Sequence, residues 1–410
     1  MPTSSPARQA LTAWPLFTAV ALLMLGNGLQ SPLIGLRADL EGFDAAVLGL
    51  VMSGYYMGFL VGSLSTPKIV ARVGHVRVYA GLASLASAVT LAHLLVIHPV
   101  AWFIFRMITG TCLAGLYIVA ESWLNGAATD RTRGRLLAVY MVVVTTALAG
   151  SQLLLTLEEP GGFVLFLLAS LLVSVAVVPI ALVHFPAPPI PTIGPIPYRE
   201  IMRTAPIGLA GAMVTGAANG AFLGMGAVWG SRAGLSVDRI AVLLTLALVG
   251  AVVLQFPLGA LSDRVSRRRV IFTTTTIATG LAVWMMSIEP NSSLISLVIL
   301  GLGGFSFPMY SLSASHVNDL VGPSLTISAS SAILLANGIG SVMGPMFAGA
   351  AMERLGPEGL WATIAVVHGA LAVYAAWRLI RRWEIPAPFK DRFVPVPARS
   401  GGLRGLTRRR

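Results

Sequence analysis

A chain of 410 residues with 56% hydrophobic but only 11% charged residues has too few charges to clothe a soluble globule, in which about 25% of residues are charged. Its mean hydropathy is +0.81, which marks a polytopic membrane protein. The 28 basic residues outnumber the 16 acidic ones, giving +12, so an anionic partner is needed, either nucleic acid or the anionic face of a membrane. The single cysteine, Cys112, excludes an internal disulfide, and no Cys/His cluster has metal-site spacing, so neither metal nor cofactor is expected. The N-terminal residues lack a short apolar core followed by a small-residue cleavage site.

A membrane helix needs about 20 apolar residues. In chain order, such spans are expected at 13–36, 45–66, 76–97, 99–123, 136–156, 163–184, 206–229, 240–261, 270–288, 293–316, 326–350 and 359–379. The ninth carries the run Thr273 to Thr276 and the eleventh is rich in Ser and Gly; such residues suit close helix packing in lipid. Twelve spans put both termini on one side. That side collects 23 of the Lys and Arg residues, the other side 4, and Arg106 lies inside a span. Basic loops stay in the cytoplasm, so both termini are expected there. Tryptophans 14, 102, 229, 361 and 377 fall near span ends, as an interfacial belt would.

Seven prolines between Pro186 and Pro206 predict an extended segment. It divides the chain into a six-helix half (1–184), a cytoplasmic linker (185–205), a second six-helix half (206–380) and a basic tail (381–410). The halves also match at a fixed offset. Asn27-Gly28 returns as Asn219-Gly220, and Arg72 as Arg264, 192 residues later. Tyr117, Ser122 and Asn125 return as Tyr310, Ser315 and Asn318, 193 residues later. A six-plus-six repeat is a secondary-transporter architecture, with the solute site between the halves.

After the eighth span the chain reads GALSDRVSRRR, with Gly259, Asp263, Arg264, Arg267, Arg268 and Arg269. This resembles the cytoplasmic loop motif G-x-L-x-D-R-x-x-R-R of the major facilitator superfamily (MFS), which in that family latches the two halves. The loop after the second span keeps Arg72, Gly74 and Arg77 but has Pro67 and Ala71 where the motif has Gly and Asp. LYIVAESWLN (116–125), RTRGR (131–135) and MYSLSASHVND (309–319) are similar to the YcaD-like branch of bacterial MFS proteins. The resemblance implies the MFS fold, with twelve transmembrane helices as two pseudo-symmetric halves in the bacterial inner membrane. It leaves the solute open.

Polar residues present in only one half are the better functional candidates. Arg106 matches Ile299 across the repeat and sits in RMITG, similar to the fourth-helix motif of proton-linked members. It reads either as a cavity cation for an anionic solute or as an Arg snorkelling outward. Glu121 matches Ala314. It reads as a salt bridge to Arg72, Arg77 or the arginines of 131–135, or as a proton carrier; His316 is a second carrier candidate. His93 reads as structural. Asn27, Gln30, Tyr117, Asn219, Gln255, Tyr310 and Asn337 lie in spans that usually line an MFS cavity. The Gly-Pro pair in Gly340 to Gly349 resembles an antiporter motif but falls in the eleventh span instead of the fifth, which favours packing.

The chain is therefore expected to be no enzyme but a secondary transporter of a small organic solute, of slight anionic preference and open to proton coupling. A drug/proton antiporter is the alternative, and a non-transporting sensor or scaffold is the alternative of another class. It is read as a monomer. The basic loops and tail point to anionic lipid headgroups, and nucleic acid falls away.

Overall fold

In the computed structural model the described residues are 6–127, 132–182, 198–321 and 325–381. They form twelve long helices and, among the described residues, no strand. The first half contains α1 (Pro6–Leu40), α2 (Ala45–Val73), α3 (His75–Leu95), α4 (Pro99–Ala127), α5 (Arg133–Leu153) and α6 (Val164–Val175, continued by Val177–Ala181). The second contains α7 (Pro206–Arg232), α8 (Val237–Arg264), α9 (Arg267–Met285), α10 (Leu294–Ser306, continued by Met309–Leu320), α11 (Thr326–Leu355) and α12 (Gly359–Arg381).

Ten stretches are long and apolar enough to cross a membrane. One of them, Ser328–Ile380, runs through both α11 and α12, while α9 does not qualify. Helix α9 nevertheless settles three of its four consecutive threonine hydroxyls, while Thr274 Oγ1 is buried without a partner among the described residues. Thr273 and Thr276 donate to Arg269 O and Phe272 O at 3.0 and 2.7 Å, and Thr275 donates to His368 O of α12 at 3.0 Å. Polar groups satisfied in this way are tolerated in lipid.

The repeat is visible in the packing. A Cβ added at Gly58 of α2 would collide with Met107 O of α4, and one at Gly250 of α8 with Leu300 O of α10. Gly110 lies against Tyr55 O, and its equivalent Gly303 against Ala247 O. These pairs recur at the same 192- and 193-residue offsets as the sequence matches. Helix backbones in lipid approach this closely only where side chains are absent. Gly340, Gly344 and Gly349 abut the backbones of α7 and α2 in the same way, so the Gly-Pro stretch of α11 serves packing.

The hydrophobic cores reveal where the halves meet. We call the side holding the first and last helix ends the terminal side, and the other the far side. One core joins both halves on the far side, with Leu33, Leu48 and Met52 beside Phe222, Val228, Leu244 and Met352. Toward the terminal side each half keeps its own: Leu16, Tyr79, Trp123 and Leu124 in the first, and Leu209, Val317 and Ile333 or Val270, Ile271 and Leu312 in the second.

Two expectations change here. Part of the proline-rich segment is helical, because Tyr198–Thr204 forms a short helix whose Ile201 is buried beside Leu209 and Val317; residues 183–197 lie outside the described residues. The tryptophans are not one belt. Trp14 and Trp377 are exposed, but Trp102, Trp229 and Trp361 are buried. Trp102 donates to Val96 O at 2.7 Å, and Trp229 meets Trp361 edge-on at 4.7 Å. The basic tail, and the side chains of Arg131 and Arg133, also lie outside the described residues.

Candidate functional site

Between the halves lies a cavity of about 230 Å³, lined by α1, α2, α4 and α5 of the first half and α7, α8, α10 and α11 of the second. Five residues expected at a cavity do line it: Tyr117, Asn219, Gln255, Tyr310 and Asn337. The amides are held by neighbours. Ser306 donates to Asn219 Oδ1 at 2.9 Å, Asn337 Nδ2 donates to Ala212 O at 3.0 Å, and Gln255 Nε2 lies 3.4 Å from Ser311 Oγ.

Three expected residues lie outside the lining. Gln30 turns to α3 and donates to Thr90 Oγ1 at 2.7 Å. Asn27 stands behind Tyr117, donating to its hydroxyl at 3.0 Å. Arg106 is 1% exposed and sits behind the Tyr55 ring, with its guanidinium carbon 4.7 Å from the ring centroid. Its Nη2 is 3.5 Å from Ser31 Oγ, while Nε and Nη1 find no partner. A helix position fixes which face a side chain takes, not which neighbour the helix turns that face toward.

Glu121 is the one charged side chain among the described lining residues. Tyr140 of α5 donates to its Oε1 at 3.3 Å. Of the arginines expected to bridge Glu121, Arg72, Arg77 and Arg135 are exposed, and no ion pair joins them to Glu121 among the described residues; the side chains of Arg131 and Arg133 lie outside the described residues. His316 is buried in α10 and absent from the lining. His93 is also buried, accepted by Val89 O at 2.9 Å and ringed by Trp102 and Phe105.

The loop motif works within one half. Arg267, 2% exposed, donates through Nε to Asp319 of α10 at 2.5 Å and through Nη1 to Ser262 at 3.1 Å, and its Nη2 lies 3.4 Å from Asp263. Gly259 and Arg268 are buried, whereas Arg264 is exposed. Among the described contacts the motif expected to latch the halves clasps α8, α9 and α10. In the first half His75 occupies the place of Arg267, and its Nε2 meets Ser122 of α4 at 3.1 Å. A neutral bond thus replaces the ion pair. Gly74 before it has φ +93°, a backbone conformation that favours glycine.

The polar ties between halves cluster on the far side. Asp39 accepts from Ser231 Oγ at 2.7 Å and from Arg232 Nε at 2.8 Å, and Arg232 Nη2 donates to Phe43 O at 2.9 Å. Glu353 Oε2 accepts from Ala45 N at the start of α2 at 2.9 Å.

Sequence reasoning missed Tyr55, Tyr56, Phe59 and Tyr140 in the lining. The spacing of 55, 56 and 59 puts those three on one face of α2, but nothing in an apolar span tells a cavity-facing ring from a lipid-facing one. It also missed His368, buried between Thr275 at 3.1 Å and Ser306 at 3.0 Å.

Comparison with known proteins agrees with this architecture. Residues 207–407 match the model of the Major Facilitator Superfamily. An uncharacterised MFS-type transporter of Yersinia enterocolitica is 27% identical over 91% of this chain and 97% of its own length. The uncharacterised MFS-type transporter YcaD of Escherichia fergusonii is 26% identical over 86% of this chain and 92% of its own. Among solved structures, the nucleoside transporter NupG superposes with a TM-score of 0.75 at 15% identity, covering 89% of this chain and 98% of that one. A bacterial homologue of the human lysosomal transporter Spinster, in an inward-facing and occupied conformation, gives 0.72 at 16%, covering 93% and 99%. Fold, cavity and matches together define a multi-pass membrane protein with the MFS fold, similar over most of its length to MFS-type transporters. Within that class the chain resembles the YcaD-like branch.

Proposed function

We propose that this chain is a secondary active transporter that moves a small organic solute across the inner membrane by alternating access, with both termini in the cytoplasm. The observation that carries the reading is the division of the cores: one joined core on the far side and separate cores toward the terminal side, with the cavity between. A cavity built from both halves and sealed at one end by their contact is what a rocking pair of six-helix bundles requires. With the termini cytoplasmic, the described state faces the cytoplasm. The positive charge of the loops on the terminal side supports that orientation.

Coupling to protons is assigned to Glu121, the carboxyl within the lining. His316, outside the lining, is set aside as the carrier. The 192-residue duplication supports the domain division at 184 and 206.

Counterflow in proteoliposomes tests the function. Vesicles loaded with one solute of a metabolite and drug panel should accumulate its labelled form only when the protein is present. Exchange that is accompanied by proton movement in the wild type and loses it in Glu121→Gln supports the coupling. Absence of exchange across the panel favours a sensor or scaffold on the same fold.

A further inference from the structure

The cavity's charge runs opposite to what the sequence suggests. Arg106 made an anionic solute the natural expectation, yet its guanidinium lies behind Tyr55 and outside the lining. Along α4 it is fifteen residues from Glu121, about 22 Å at helical rise. What the described lining residues present is one carboxylate and no basic group. Glu121 is only 9% exposed, and among the described residues its side chain has a single hydrogen bond, the 3.3 Å contact from Tyr140. A buried carboxylate so thinly satisfied needs a cation or a proton, since leaving a charge buried without a partner is costly.

The walls around it are aromatic. Tyr55 meets Tyr56 edge-on at 5.3 Å, Phe59 lies 6.2 Å from Tyr55, and Tyr117 continues the series at 6.0 Å from Phe59. Tyr140 of α5, bonded to Glu121, and Tyr310 of α10 add two further rings to the lining. Ring faces attract cations and repel anions. The protein already uses one of these rings in this way, with Arg106 seated against the buried face of Tyr55. An anion would meet the rings' negative faces and the Glu121 carboxylate, with no cation among the described lining residues to offset them.

We propose that the transported solute is an organic cation, a quaternary or protonated amine with an aromatic or apolar body, whose charge pairs with Glu121 while its body lies along the ladder Tyr55, Tyr56, Phe59 and Tyr117. The proposal rests on the transporter reading and narrows it to a substrate class.

The full chain, purified in detergent, is titrated with benzyltrimethylammonium, with the larger cation tetraphenylphosphonium, and with the anion benzenesulfonate, following its melting temperature. A ligand that binds the folded state raises that temperature. The cations should stabilise the protein in a saturable way and benzenesulfonate should not. Glu121→Gln should weaken cation binding at least tenfold, and Glu121→Asp should restore part of it. Phe59→Leu, which leaves the carboxylate in place, should weaken it several-fold and serves if the Glu121 variants do not fold. Equal stabilisation by benzenesulfonate, no response to either cation, or unchanged cation binding in Glu121→Gln overturns the assignment. Counterflow separates this from the parent reading. Exchange of anions without cation binding removes the substrate class and keeps the transporter; cation binding without any exchange keeps the site and removes transport.

Discussion

Removing the Asp39 carboxylate is the sharpest way to loosen the far side. In Asp39→Ala the closed far side loses the 2.7 Å bond from Ser231 and the 2.8 Å pair with Arg232. The Arg232 and Asp39 side chains are 28% and 14% exposed, so solvent screens the pair and it contributes about 0.5 kcal/mol. The hydroxyl-to-carboxylate bond adds about 1 kcal/mol. Their sum shifts the balance between far-closed and far-open states by roughly tenfold, because only interactions present in one state move the equilibrium. Val228, fully buried where α7 meets Gly35 of α1, reports the opening. In a Cys112→Ala background, Val228→Cys should react with a membrane-impermeant maleimide added to the far side about ten times faster once Asp39 is replaced. An unchanged rate in folded protein would refute the idea that these bonds hold the far side shut.

Two other substitutions separate stability from function. Arg267→Ala breaks the buried pair with Asp319, 4% exposed, and should cost about 3–5 kcal/mol. The double variant Arg267→Met/Asp319→Leu should recover most of the loss in thermal unfolding; no recovery would mean the clasp acts through more than its charges. Arg106→Met removes two buried nitrogens without partners, each costing about 1–3 kcal/mol, and forfeits a cation–π contact of about 2 kcal/mol. The protein should therefore melt no lower than the wild type, and counterflow should persist, because Arg106 lies outside the lining. A loss of counterflow in a stable, folded variant would return Arg106 to the solute path.

The fold was largely written in the hydropathy and the repeat. Twelve apolar stretches and the 192-residue offset give the helices, and that offset reappears in the paired contacts of Gly58 and Gly250. Helix ends were less legible: α2 runs on to Val73 and α10 breaks at Pro308, because hydropathy marks the apolar stretch and not where a helix continues past it or is interrupted within it. The site was legible by residue type and not by direction. Asn219 and Asn27 are repeat mates, yet one lines the cavity and the other backs Tyr117. Gln30 looked like a cavity amide until α3 supplied Thr90 as its partner. The tyrosines of α2 were hidden because a ring facing lipid and a ring facing a cavity have the same sequence signature.

Alternating access requires the two sides to open in opposition. Spin labels at Arg77 and Arg269, both exposed on the terminal side and equivalent in the repeat, report the separation of the halves there. Pulsed electron resonance on the full chain in lipid, with and without Asp39→Ala, measures that distance directly. The account predicts a second, shorter distance that is populated as Asp39→Ala opens the far side. A terminal-side distance that stays fixed, or lengthens, while the far side opens would contradict it.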